Sequence, residues 1–196
     1  MLLAFSLLAV DLLREGPITQ ADIPISRWWR VQMSAGMTQF MLVVSHLHST
    51  AGICLMALAA GLALAWHRQW AWLPPLILSV PGGLLLNFAV KHAFQRARPS
   101  FDGPLVVFAS HSFPSGHTAG ATVWWGFVTV LYFAWEPRPW ARAVAVALAG
   151  TMIGLAALSR VYLGAHYPSD VLAAIAEGLA WLVLCFMVLG VGRRNG

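Results

Sequence analysis

At 196 residues the chain has room for one domain, and with 59% of them hydrophobic and 10% charged its mean hydropathy reaches +0.72. A net charge of +5 would suit nucleic acid in a soluble protein, but there is no Lys/Arg-rich stripe here, and the basic residues outside the motifs flank apolar runs, where they meet lipid head groups. Soluble helical domains need polar outer faces, which most of these runs lack, so the composition excludes a soluble or nucleic-acid-binding domain and points to a multi-pass membrane protein.

Residues 1–13 are apolar except for Ser6 and Asp11, short for a span, and lack the basic start and small-residue cleavage site of a signal peptide. They are read as a short or tilted first helix. Residues 14–48 form the longest mixed segment. Within it Arg27, Trp28, Trp29 and Arg30 fit an interfacial amphipathic helix and, equally, an ordinary helix packed on the bundle, with residues 40–44 as an apolar end. Five spanning runs follow, at 49–66, 72–90, 118–135, 140–158 and 171–191. Trp66, Trp70 and Trp72 are expected at one membrane interface and Trp135 and Trp140 at another. Cys54 and Cys185 lie inside apolar runs without metal-ligand spacing and read as small buried hydrophobes. The expectation is an all-α polytopic membrane bundle of about six transmembrane helices, one domain over residues 1–196.

In such a bundle the loops alternate sides. Segments 14–48, 91–115 and 160–168 then share one face, and the termini, with the loops holding Arg68, Arg138 and Arg142, share the other. With the three motif cations Lys91, Arg98 and Arg160 set aside, Arg14, Arg27, Arg30 and Arg96 lie on the first face against Arg68, Arg138, Arg142, Arg193 and Arg194 opposite. The positive-inside rule puts the first face outside the cytoplasm.

Three stretches on that face carry chemistry. The first is Lys91-x6-Arg98-Pro99. Lys91 follows Asn87 by one helical turn, and Pro99 turns the chain at Arg98. Arginine presents a fork suited to bidentate phosphate contacts, lysine a point charge. The second is Pro114-Ser115-Gly116-His117, just before an apolar helix whose unpaired N–H groups attract anions. Ser115 serves either as an added hydroxyl donor or as a plain helix cap, and neither role explains His117. The third is Ser159-Arg160-x5-His166-x3-Asp170, where Pro168 suits the first turn of a helix and Asp170 would reach back to His166. A carboxylate on one imidazole nitrogen fixes the tautomer and frees the other to attack; a capping Asp beside an interfacial His is the alternative for this stretch alone. His117, His166 and Asp170 have the chemistry of zinc ligands, but no paired-His helix motif is present and Lys91, Arg98 and Arg160 would repel a dication, so neither a metal nor another cofactor is expected.

Together the three stretches resemble the signature motifs of the type 2 phosphatidic acid phosphatase superfamily, K-x6-R-P, P-S-G-H and S-R-x5-H-x3-D, complete and in order over residues 91–170. The apolar runs make the chain similar to its integral-membrane lipid phosphatases, those acting on phosphatidylglycerol phosphate or undecaprenyl diphosphate, rather than to its soluble acid phosphatases or vanadium haloperoxidases. The resemblance implies a six-helix core and a metal-free reaction. His166 would attack phosphorus to form a phosphohistidine. Asp170 would orient His166, and His117 would protonate the leaving oxygen and then help activate water. Lys91, Arg98, Ser115, Gly116 and Arg160 would hold the phosphoryl oxygens, with Ser159 structural.

The partners expected are a lipid phosphate (undecaprenyl diphosphate, phosphatidylglycerol phosphate or phosphatidate) and membrane lipids, in a bacterial plasma membrane. Two other classes compete: a lipid phosphotransferase using the same phosphohistidine, and a non-catalytic protein that binds lipid phosphate. Loss of His117, His166 or Asp170 would mark the second, and all three are present. Glu177 lies seven residues after Asp170 on about the same helix face and reads as an interhelix hydrogen-bonding group, with site tuning as the alternative. His111 reads as a solvated loop residue and Asp102 as a turn residue.

Overall fold

A computed structural model describes residues 1–100 and 110–190 of the chain. Asp102 lies outside these residues, as do Arg193 and Arg194. The described residues are helical and contain no strand: α1 (Leu2–Leu13), α2 (Pro17–Val31), α3 (Ala35–Leu47), α4 (Thr50–Trp66), α5 (Leu73–Phe94), α6 (Gly116–Trp135), α7 (Pro139–Tyr162) and α8 (Pro168–Leu189). Local signals set the boundaries. Ser34, Ser49 and Ser115 cap α3, α4 and α6 by accepting backbone N–H bonds, proline opens α2, α7 and α8, and Gly190 at φ 62° ends α8.

The bundle is built around α6, which packs against α4, α5, α7 and α8. Its inner residues join Ile53, Val80 and Leu182 in a core that includes Val123 and Phe127. Leu55, Leu62, Ile77, Leu85, Val183 and Met187 point outward, as lipid-facing residues do.

About six spans were expected; on length and apolarity three helices qualify alone, namely α5 with its leading turn, α7 and α8, and a fourth if α3 and α4 count as one span bent by 51°. α4, read from sequence as a complete span, has 17 residues and needs α3 to reach across. α1 has 12 residues. α6 is encased by other helices, so it carries Gly, Thr and His where a lipid-facing helix would carry aliphatic side chains.

The α3–α4 bend has a local cause. Ser49 starts a new helix, and a Cβ at Gly52 would lie 2.3 Å from the Leu47 carbonyl oxygen, so only glycine lets the two backbones meet this closely. His48 at the joint is fully buried; its Nδ1 bonds the Val44 carbonyl at 2.8 Å and its Nε2 accepts from Trp125 Nε1 at 3.0 Å. The aromatic belts also differ from expectation. The Trp72 and Trp135 rings stand 6.3 Å apart, so the two tryptophan groups mark one interface, not two.

Of segment 14–48, α2 and the turn to α3 lie at the motif end of the bundle. Trp29 packs on Tyr162, while the Ser34 N–H donates to the Tyr162 hydroxyl at 3.0 Å. α2 therefore crosses the end of the bundle, with Trp28 exposed and Trp29 packed inward.

The α6–α8 contact predicts a stability difference between two glycines. A Cβ at Gly178 would lie 2.9 Å from Thr122 Cβ and Cγ2, a stiff neighbour, whereas one at Gly150 meets nothing within 4 Å. Overpacking costs about 1–3 kcal/mol, against about 1 kcal/mol gained when alanine replaces a helical glycine. Thermal unfolding in detergent should show Gly178→Ala melting below the parent and Gly150→Ala at or above it.

Candidate active site

Each motif reaches the site from a helix end. Lys91 sits in the last turn of α5, nearly buried, and its Nζ donates to the His111 carbonyl at 2.8 Å. Gln95 then adopts a left-handed conformation (φ 49°), which ends α5 and sends residues 96–100 across the face of the bundle. Arg98 on this strip ties the stretches together. Its Nε and Nη2 donate to the Ser110 carbonyl (2.6 Å) and hydroxyl (2.9 Å), and its Nη1 donates to the Ala165 carbonyl (2.8 Å) and reaches His166 Nε2 at 3.3 Å. Burial draws the Arg98 guanidinium down to about 10, with Asp170 pulling the other way, so it stays charged at neutral pH.

Ser115 is fully buried and acts as the cap of α6, accepting from the Thr118 hydroxyl at 3.1 Å, while its backbone N–H donates to the Asp170 carbonyl at 3.1 Å. Gly116 is the first residue of α6. His117 follows it, within electrostatic reach of Arg160, His166, Arg98 and Lys91. Arg160, in the last turn of α7, is 1% exposed and donates through Nη1 to the Ser45 hydroxyl of α3. Ser159 donates to the Ala156 carbonyl at 2.7 Å, the structural role expected of it.

His166 and Asp170 are both buried, with His166 Nδ1 3.5 Å from Asp170 Oδ2. The tautomer follows from the partners. Arg98 can only donate, so Nε2 holds the lone pair and Nδ1 carries the proton facing the carboxylate. Burial pushes the imidazole down to about 3 against the pull of Asp170, and Arg98 and Lys91 add to the drop. The ring is thus neutral, with its bare nitrogen beside a cationic fork. Among the described residues no group of three or more His, Cys, Asp and Glu side chains is arranged to hold a metal ion.

A family model described as the PAP2 superfamily matches residues 72–193. The chain belongs to the PAP2 superfamily. It is 30% identical to phosphatidylglycerophosphatase B of Bacillus subtilis (strain 168), over 98% of this chain and 94% of that protein. It is also 30% identical to a lipid A 1-phosphatase of Rhizobium johnstonii, over 88% of this chain and 72% of that protein. The crystal structure of a transmembrane PAP2 type phosphatidylglycerolphosphate phosphatase from Bacillus subtilis superposes with a TM-score of 0.85 at 28% identity, covering 100% of this chain and 96% of that one.

Around the residues expected for a PAP2 site, the structure adds others. Ser112 donates to Asp170 Oδ2 at 2.5 Å. Arg96 donates through Nη1 to Asp170 Oδ1 (2.6 Å) and the Ser169 hydroxyl (2.7 Å), and through Nη2 to Asp22 Oδ2 (2.8 Å). Its guanidinium stacks over Tyr167, 4.3 Å from the ring centroid. Burial opposes the Arg96 charge, but Asp170 and Asp22 outweigh it and hold the guanidinium above its ordinary value. Sequence reading took Arg96 as a topology signal and passed over Asp22, Ser45, Ser112 and Ser169. Arg96 and Ser169 lie inside the first and third motif stretches and Ser112 stands two residues before the second, a cue to search there; Asp22 and Ser45 carry none, being one acid and one hydroxyl in a mixed segment. Glu177 makes the expected interhelix bond, its Oε2 accepting from Asn87 Nδ2 at 2.8 Å. The His111 carbonyl holds Lys91, and its ring stands 5.8 Å from that of His92.

The His166 environment predicts an ionisation state. Nitrogen-15 NMR of histidine-labelled protein, with a His166→Asn variant to assign the signal, should show a neutral ring with Nε2 unprotonated down to about pH 5, the direction set by burial. A doubly protonated ring at that pH would overturn the tautomer assignment.

Proposed function

We propose that this chain removes phosphate from a lipid phosphate through a phosphohistidine on His166. Its PAP2 membership and its relatives make it an integral-membrane lipid-phosphate phosphatase. The observation that carries the mechanism is the 3.3 Å approach of Arg98 Nη1 to His166 Nε2, which sets a cation at the lone pair that must meet phosphorus.

A phosphoryl group entering between them would exchange this contact for its own oxygens. Arg98, Lys91 and Arg160, with the N–H groups at the start of α6, would receive the oxygens, which is where phosphoryl transfer needs charge and positioning. His166 Nε2 forms the bond to phosphorus as the bond to the leaving oxygen breaks, and His117, which takes up a proton with the incoming phosphate anion, gives that oxygen its proton. Asp170 supports the charge gained by the imidazole. Water then attacks phosphorus, His117 takes its proton, the P–N bond breaks and phosphate departs, returning His166 to its starting state.

For the lipid we rank phosphatidylglycerol phosphate first, because the Bacillus relative named for that activity aligns over nearly the whole chain. An apolar groove of about 930 Å³ between α6, α7 and α8, lined by Gly126, Ile153, Gly154, Ile175 and Leu179, offers room for hydrocarbon along the bundle, apart from the motif residues. We place the site on the extracytoplasmic side of a bacterial plasma membrane. Arg96 is paired with Asp22 and Asp170, and Arg138 opposite is paired with Glu136; leaving both out, Arg14, Arg27 and Arg30 stand against Arg68, Arg142, Arg193 and Arg194. A membrane-impermeant thiol reagent on intact cells should then label a cysteine placed at Gln20; protection there with labelling at Arg68→Cys reverses the orientation.

The deciding assay is phosphate release by purified protein in detergent, across phosphatidylglycerol phosphate, phosphatidate and undecaprenyl diphosphate, with chelator throughout. His166→Ala should lower kcat by about a thousandfold or more, as loss of a nucleophile does. Full turnover in that variant would remove His166 from its role, and strong metal-reversible inhibition by the chelator would count against the metal-free route.

A further inference from the structure

Arg96 meets two carboxylates, and both are buried: Asp22 at 1% exposure and Asp170 at 0%. Asp22 comes from α2, outside the residues matched by the family model. Its two oxygens are fully engaged. Oδ1 accepts from the Ser169 N–H at 2.9 Å, and Oδ2 accepts from the Ser169 hydroxyl at 2.5 Å and from Arg96. Arg96 in turn holds Asp170 twice over. Its side chain bonds Oδ1, and its carbonyl accepts from the Ser112 N–H at 2.8 Å, setting the residue whose hydroxyl bonds Oδ2.

The charges can be counted. Arg96 alone beside Asp170 would cancel the carboxylate that must support an imidazolium-like His166. With Asp22 added, the three groups carry one net negative charge. We propose that Asp22 and Arg96 are positioning residues of the reaction: Arg96 fixes the Asp170 carboxylate, and Asp22 offsets Arg96 so that Asp170 keeps its full charge for His166. This rests on His166 being the nucleophile. The Lys91, Arg98 and Arg160 charges answer the phosphate, so the positive charge gained by His166 has Asp170 as its support.

A simple clip between α2 and α8 would use the same bonds, and a charge reversal of effects tells the two apart. The test uses the full chain in detergent, with phosphatidylglycerol phosphate and phosphatidate as probes. The variants are Asp22→Asn, Asp22→Asn combined with Arg96→Gln, Arg96→Gln alone, Arg96→Lys and His166→Ala, each checked by size-exclusion profile and melting. Asp22→Asn leaves Arg96 cancelling Asp170, so kcat should fall by about tenfold or more with KM within about twofold. The double variant restores one net negative charge and should be several-fold more active than Asp22→Asn. A clip predicts the opposite, since the double variant has lost more bonds. Wild-type kcat in Asp22→Asn, or a double variant no better than it, overturns the proposal. If Asp22→Asn is not recovered folded, the arginine pair decides. Arg96→Lys, which keeps the charge between two buried carboxylates, should exceed Arg96→Gln in kcat by about tenfold; equal values overturn the proposal. His166→Ala separates the two levels: turnover in that variant refutes the nucleophile, whereas its inactivity alongside a fully active Asp22→Asn refutes only the relay.

Discussion

Asp170 is a buried carboxylate, and burying one costs several kcal/mol unless every lone pair finds a donor. Its partners come from separate parts of the chain: Arg96 beyond α5, Ser112 before α6, and His166 and the Tyr167 N–H before α8. Its own carbonyl accepts from the Ser115 N–H. Satisfying this residue therefore draws together the exit of α5, the entrance of α6 and the α7–α8 turn. Its position in the first turn of α8 adds the favourable end of the helix dipole. The alignment of the motif residues follows from the requirement that one charge be solvated by protein.

The cations are handled differently from the carboxylate. Lys91 is aimed by the His111 carbonyl, Arg98 by the Ser110 and Ala165 carbonyls, and Arg160 by the Ser45 hydroxyl. Bonds to neutral oxygens fix a cation's direction without cancelling its charge. Arg96 instead meets two carboxylates and becomes part of the frame. Lys91, Arg98 and Arg160 are thus oriented by neutral oxygens, while Arg96 is bound into the frame by two carboxylates.

The helices and the motif residues were legible in the sequence for different reasons. α5, α7 and α8 follow from long apolar runs opened by proline or closed by a left-handed residue. The His166–Asp170 contact follows from helical spacing past Pro168, and the Ser159 bond from its place in a helix. What escaped is what depends on tertiary contact. The α3–α4 joint reads as a break between a polar segment and a span, because hydropathy does not record that Gly52 lets the two backbones close. The tryptophans at 72 and 135 looked like two belts when taken by position along the chain, although the alternation of loops had already put the Arg68 and Arg138 loops on one face. Arg96 looked like a topology signal because its partner Asp22 lies 74 residues away.

The N-terminal third belongs to the site as much as the motif core does. Residues 72–193 contain every motif residue, yet Asp22, Ser45 and the Ser34–Tyr162 bond all lie partly or wholly outside them. Without α2, Ser169 would lose the acceptor of its N–H, Arg96 would keep only Asp170 as its carboxylate partner, and Trp29 would no longer cover Tyr162 beside Arg160. Complete motifs are thus not a complete site. The motifs place the cations, the histidines and Asp170, while the segment before them supplies Asp22 to Arg96, Ser45 to Arg160 and the Trp29 cover over Tyr162, through side chains that no local pattern marks.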